Sequence, residues 1–349
     1  MVDEADTAAS NYNYVVAVCT VTGTQGREIV QQFDKKMNQA RHNQSSSSID
    51  SETDQQLKIQ VRGLTRDTSS TKATELLKLV TNDSNLLDLQ QVDYSSSISL
   101  REALTGANAL YLNCTVTMYQ DNNLYKRIID AAIRVGVQHI VYSSIVGCDK
   151  EPQHGIPHWD GARHIEAYLA IRHDETRQAF RYHIIRYAPH CNEHLLTHYA
   201  PSDDGWIAYP WHPSIRVHTA SARDGARVVC KLFCQPESLK NGAIMNMITD
   251  FRNPHEMAQY ITLATEKPVQ AYKGPASLVT MGHLMGYESK SIVAMGDYIE
   301  HNWTKDFGKP LKYCVKEFLE DEIQKEPLET VEAFVNRVFK PVATTKSSS

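Results

Sequence analysis

Residues 14–26 constrain the fold more than any other stretch of this chain. Tyr14-Val15-Val16-Ala17-Val18 is an apolar run too short to cross a membrane, and Cys19 to Gly26 supplies a turn with glycines at 23 and 26. A helical period follows, with Ile29, Val30, Phe33 and Met37 on one face. Strand, tight turn and helix in that order bring backbone N–H groups and the positive end of a helix dipole to one point, where a diphosphate can sit. Gly23 would let the backbone approach a phosphate, and Gly26 would let helix and strand pack closely. Thr22, Thr24 and Gln25 would add contacts. The alternative is a plain strand–helix turn with two ordinary glycines. The first glycine of a G-x-x-G-x-x-G pattern is replaced by Thr20. A β-branched residue resists the backbone angles a glycine accepts, so a reshaped turn and a weaker grip are expected.

Strands and helices then alternate, as in a parallel sheet covered on both faces. Strands are expected over 57–65, 86–92, 109–114, 139–144 and 183–187, with helices over 100–104, 124–133 and 158–172. Residues 38–56 carry four consecutive serines and almost no apolar side chains, and read as a flexible surface insertion. Past Pro189 the rhythm breaks into short strands near 206–210, 214–218 and 244–248. A helix is expected over 222–233, another opened by the cap Asn253-Pro254-His255-Glu256, and a last one carries Val331, Phe334, Val335 and Val338. The expected division is therefore a sheet domain over 12–188, a smaller module over 189–340 and a frayed tail over 341–349.

A net charge of -5 argues against general electrostatic binding of nucleic acid. The seven cysteines are dispersed without a C-x-x-C, so neither a disulfide framework nor a metal site is expected. The acidic, polar start lacks the apolar core of a signal peptide, and no segment reaches the ~20 apolar residues of a membrane span. A cytoplasmic protein is expected, with access to the nucleus left open.

Several segments together resemble the NmrA-like branch of the atypical short-chain dehydrogenase/reductase superfamily, near the isoflavone-reductase-like enzymes. The turn Thr20-Val21-Thr22-Gly23-Thr24-Gln25-Gly26 stands where that family has G-A-T-G-x-Q-G. Val61 to Asp67, Ser99 to Ala107, Ala131 to Ser144, His158 to Leu169, Ile184 to Ala188 and Ile248 to Ala258 follow in the family's order. The resemblance implies an α/β, Rossmann-type doubly wound parallel sheet with a smaller α+β C-terminal module. It also implies an NAD(P) cofactor. Arg66, ending the second strand, suits a ribose 2′-phosphate through bidentate hydrogen bonds, and in this family a basic residue there goes with NADP(H) rather than NAD(H). Lys72 could assist. Asp93 stands where the superfamily often contacts adenine, with a plain turn aspartate as the alternative. Asn113, Cys114 and Thr115 would line the nicotinamide ribose, because ligands bind beyond the C-terminal ends of strands.

The catalytic positions depart from this pattern. A reductase of the usual short-chain type needs a tyrosine with a lysine four residues on, and no tyrosine here has one. Isoflavone-reductase-like enzymes use a lysine in the helix after the fifth strand, and that position falls on Ala162. Arg163 beside it cannot exchange a proton near neutrality. The remaining candidates are His158, as acid or base, and Tyr142 with Ser143 and Ser144, as groups for a carbonyl. Three readings follow. The first is an NADP(H)-preferring redox-sensing regulator with a protein partner. The second is an NAD(P)H-dependent reductase of a small carbonyl or quinone-like substrate. The third is a scaffold that has lost its cofactor.

Overall fold

The structure, a computed structural model, describes residues 12–46, 57–81, 85–113, 115, 118, 121, 123–149, 155–274, 287–307 and 314–340. Two compact units share the chain. One gathers the residues up to Ser143 with Ile165–Ile184 and Ala226–Ala243; the other gathers Ser144–His164, Ile185–Gly225 and the chain from Ile244 onward.

In chain order the principal elements begin with β1 (Tyr14–Val18), α1 (Thr24–Ser46), β2 (Ile59–Thr65), α2 (Thr71–Leu79), β3 (Leu87–Gln91) and α3 (Ser97–Leu104). Then come β4 (Ala109–Asn113), α4 (Leu124–Arg134), β5 (His139–Ile145), α5 (Pro157–Glu175) and β6 (Arg181–Tyr187). The second half adds β7 (His190–Cys191), β8 (Trp206–Tyr209), β9 (Val217–Ala220), α6 (Ala222–Cys234), β10 (Ile244–Met247), β11 (Asp250–Arg252), α7 (Pro254–Thr265) and β12 (Gln270–Lys273). Its last helix is Val331–Phe339.

The large sheet has seven strands in the order β10-β6-β5-β4-β1-β2-β3, an α/β Rossmann-type arrangement. Register is parallel throughout its centre: Val18 pairs with Gly63 of β2 and Tyr111 of β4, and Asn113 pairs with Ser143 of β5. Val16, Ala17 and Val18 are wholly buried, as are Ile140, Val141 and Tyr142, which is why these strands read as unbroken apolar runs. Gly136, at φ +84°, ends α4 in the left-handed conformation that spares glycine a steric penalty.

In the other unit β9 pairs antiparallel with β11 and parallel with β7, while β8 and β12 form a parallel pair. The expected cap of α7 is present: the Asn253 side chain accepts from Glu256 N–H at 2.9 Å, and Asn253 N–H donates to Glu256 Oε2 at 2.9 Å. Two expectations are corrected. Residues 38–46 are not a loose insertion but the continuation of α1, whose 23 residues run to Ser46; only 47–56 lie outside the described residues. The strand expected over 214–218 is shifted to Val217–Ala220. None of the helices among the described residues is long and apolar enough to cross a membrane.

Candidate functional site

The strand order reverses between β1 and β4, and α/β sheets of this kind bind ligands in the crevice beyond the strand ends at such a point. The turn from Cys19 to Gly23 lies there. Thr20 takes φ +48°, in the left-handed region that favours glycine. A β-branched residue is disfavoured in that region, so its surroundings must hold it there. Thr20 N–H donates to the Tyr94 hydroxyl at 3.0 Å, and that hydroxyl donates to the Leu64 carbonyl at 3.2 Å. Val21 N–H donates to the same carbonyl at 3.3 Å, and Gly23 N–H closes the turn on the Thr20 carbonyl at 2.9 Å. Cys19 is wholly buried beneath. Burial pushes its thiol up to about 12, against a hydrogen bond with Tyr94 that pulls the other way.

Helix α1 starts at Thr24 with no acidic residue in its first turn, so nothing on the helix neutralises its positive end. Gly23 and Thr24 are exposed, Thr22 and Gln25 half-buried. The leading N–H groups of a helix have no intrahelical acceptor and are free to meet an anion. A Cβ on Gly26 would lie 2.4 Å from the Val21 carbonyl oxygen, so helix and turn approach as closely as this only without a side chain. A Cβ on Gly23 would stand 3.2 Å from the Thr20 carbonyl, tight but less severe. The Gln25 side chain faces inward: its Oε1 accepts from the Tyr111 hydroxyl at 2.7 Å and the Ser143 hydroxyl at 2.9 Å.

Arg66 follows β2, is exposed, and has no ion pair or side-chain hydrogen bond among the described residues. Its neighbour Asp67 does not hold it. That carboxylate accepts from Ser69 N–H at 2.8 Å and the Ser69 hydroxyl at 2.7 Å, bonds that lower its pKa. Lys72 is exposed in the first turn of α2. Asp93 makes a similar local turn, accepting from Ser95 N–H at 2.9 Å and the Ser95 hydroxyl at 2.6 Å. Asn113, half-buried, ends β4; Thr115 is exposed and its N–H donates to Met118 Sδ at 3.4 Å. Cys114 lies outside the described residues. The residues near the turn thus fit a dinucleotide: open N–H groups, a close helix approach, and a free guanidinium one strand away.

The candidates for proton transfer are placed differently. Tyr142 is wholly buried on one face of β5, and Ser143, on the other face, is engaged with Gln25. Ser144 is buried, with its hydroxyl 3.7 Å from the Cys148 thiol. His158 is buried in the first turn of α5, and burial drives its pKa down to about 4. Its imidazole is therefore neutral at pH 7 and is no acid there. Ala162, at the position where related reductases have lysine, is wholly buried. Tyr94 and Tyr111, which shape the turn and Gln25, were not expected to take part. Their contacts span 74 and 86 residues of sequence, beyond any local pattern.

A seven-stranded sheet with this turn at its reversal point defines an α/β protein of Rossmann type. The chain belongs to the NmrA-like family, whose profile matches residues 13–334. It is 31% identical over 168 residues to an NmrA-like family domain-containing oxidoreductase from Penicillium ochrochloron, a match covering 44% of this chain and 42% of that protein. NmrA itself, described as a negative transcriptional regulator and solved with NAD and with NADP, is similar with a TM-score of 0.68 at 15% identity, over 94% of this chain and 95% of NmrA. An NADPH-dependent quinone oxidoreductase from Escherichia coli, solved with NADPH, gives a TM-score of 0.65 at 18% identity, over 93% of this chain and 100% of the other.

Proposed function

We propose that this chain binds a nicotinamide dinucleotide, NADP(H) in preference to NAD(H), and reports its redox state to a protein partner in the cytoplasm or nucleus. One observation supports this reading: the turn between β1 and α1 leaves the start of the helix open, while the positions for proton transfer are buried, neutral or replaced. Thr24 and the N–H groups of the first turn of α1 would hold the diphosphate, with Thr20, Thr22, Gly23, Gln25 and Gly26 shaping the turn. Arg66, aided by Lys72, would pair with a 2′-phosphate. Asp93 would face the adenine side, and Asn113, Cys114 and Thr115 the nicotinamide ribose. When bound, the cofactor supplies hydride chemistry; the protein supplies binding and orientation. A regulator of this kind works only through differential affinity, because a ligand that binds two states equally shifts neither.

Millimolar NADPH is expected to raise the melting temperature more than NADH does, since a ligand confined to the native state stabilises it. Arg66→Ala should weaken NADPH binding about tenfold, the worth of a lost charge-assisted pair, and leave NADH affinity nearly unchanged. Calorimetry with both coenzymes checks this, and equal losses for the two would remove Arg66 from the site. The sensing role fails if a captured partner binds equally well with NADP⁺, with NADPH and with neither.

The oxidoreductase name of the Penicillium relative and the likeness to a quinone reductase favour a second reading, slow reduction of a quinone-like carbonyl. It requires NADPH consumption with a quinone panel, and no turnover with any quinone rules it out.

A further inference from the structure

The turn after β1 carries threonine at position 20, and that threonine sits at φ +48°, in the left-handed region that favours glycine. Left-handed backbone is disfavoured for a β-branched residue by about a factor of ten or more in population, and such conformations persist only where their surroundings over-determine them. Around Thr20 three hydrogen bonds do so. Two belong to the backbone: Gly23 N–H to the Thr20 carbonyl at 2.9 Å, and Val21 N–H to the Leu64 carbonyl at 3.3 Å. The third comes from one side chain. The Tyr94 hydroxyl, from the segment between β3 and α3, accepts the Thr20 N–H at 3.0 Å and donates to the Leu64 carbonyl at 3.2 Å. It therefore ties the chain after β1 to the end of β2, and Tyr94 is itself buried, at 7% exposure. The Thr20 hydroxyl contributes nothing to this hold, since it is buried with no hydrogen-bond partner among the described residues.

We infer that Tyr94 is the positioning residue that fixes the diphosphate turn, its phenol hydroxyl holding Thr20 in the left-handed conformation. The inference rests on the dinucleotide reading of the site. Without the phenol bond Thr20 relaxes out of the left-handed region, and a ligand must then restore it, which lowers apparent affinity by the fraction of the population lost. With glycine at the position there is nothing to restore.

A double-mutant cycle tests this. Tyr94→Phe keeps the ring and removes only the hydroxyl. In the otherwise native chain it should weaken NADPH binding, read by calorimetry, about fivefold to tenfold. In a Thr20→Gly background the same change should cost less than about twofold. Equal losses in the two backgrounds would overturn the inference, because an ordinary packing role is indifferent to the residue at 20. A Thr20→Asn background, asparagine tolerating the left-handed region, should behave like the glycine one and serves if the glycine variant is unstable. Should the native chain bind neither NADPH nor NADH, the proposed function falls, and the crystal structure of Tyr94→Phe still decides the latch. Thr20 at negative φ supports it; Thr20 unmoved at positive φ sinks it.

Discussion

Gly26→Ala is expected to weaken dinucleotide binding on the order of 100-fold and to destabilise the fold. The added Cβ would lie 2.4 Å from the Val21 carbonyl oxygen and 2.6 Å from its Cα. These are backbone atoms, so no side chain can swing aside. Relief requires α1 to retreat from the turn, and overpacking of this severity costs about 3 kcal/mol. Retreat also withdraws the N–H groups of the first helical turn. Losing two charge-assisted hydrogen bonds at ~1.5 kcal/mol each weakens binding on the order of 100-fold. Gly23→Ala meets its nearest backbone atom at 3.2 Å, so a shift of a few tenths of an ångström accommodates it. The ranking is thus specific: the glycine inside the helix is the more damaging to replace. Urea denaturation and NADPH calorimetry on both variants check it, and a milder effect at 26 than at 23 would refute the packing argument.

That ranking was half legible in the sequence. The order of apolar run, turn and helix placed Gly26 where strand and helix meet, because period-2 and period-3.6 patterns change there. The cap at Asn253 was legible for the same kind of reason: its hydrogen bonds lie within four residues. Helix α2 left little trace, since only Ala73 and Leu76 of its nine residues are buried. The polar tail of α1 was misread as loose because helix propagation from a packed start needs no apolar stripe of its own. Long-range placement was hidden altogether. Nothing local marks Tyr94 as a partner of Thr20, and nothing local showed that Tyr142 and His158 would be buried away from open solvent. Their residue types suggested proton transfer; their burial decides what they can do.

Acid is expected to unfold this protein well above the pH at which its carboxylates titrate. His139, His158 and His190 are buried at 3%, 7% and 0% exposure. Burial, with the neighbouring His183 adding to it at His139, drives their pKa values from the ordinary 6.5 down to about 3, 4 and 3. His139 Nε2 stands 2.8 Å from His183 Nδ1, a contact that works only while at most one ring carries the extra proton. The sign follows from linkage. Well above pH 6.5, at about pH 7.5, the folded and unfolded chains both hold these rings neutral, and the stability is intact. Below it the unfolded chain takes up protons that the folded chain refuses, so stability falls, at about 1.4 kcal/mol per pH unit for each ring. Between pH 7.5 and 5 three rings amount to a loss of several kcal/mol, comparable to the whole stability of many domains. Depressed carboxylates such as Asp67 act in the same direction but only nearer pH 4. His190 offers the sharpest control. Its ring stacks on Tyr199 at 5.2 Å and 10°, and both its nitrogens are buried without hydrogen-bond partners among the described residues. His190→Phe should therefore cost little at pH 7.5 and gain about 2 kcal/mol relative to the native protein at pH 5. Urea midpoints at the two pH values, for native protein and variant, measure both effects, and a midpoint independent of pH in this range would show that these rings are not held neutral by burial.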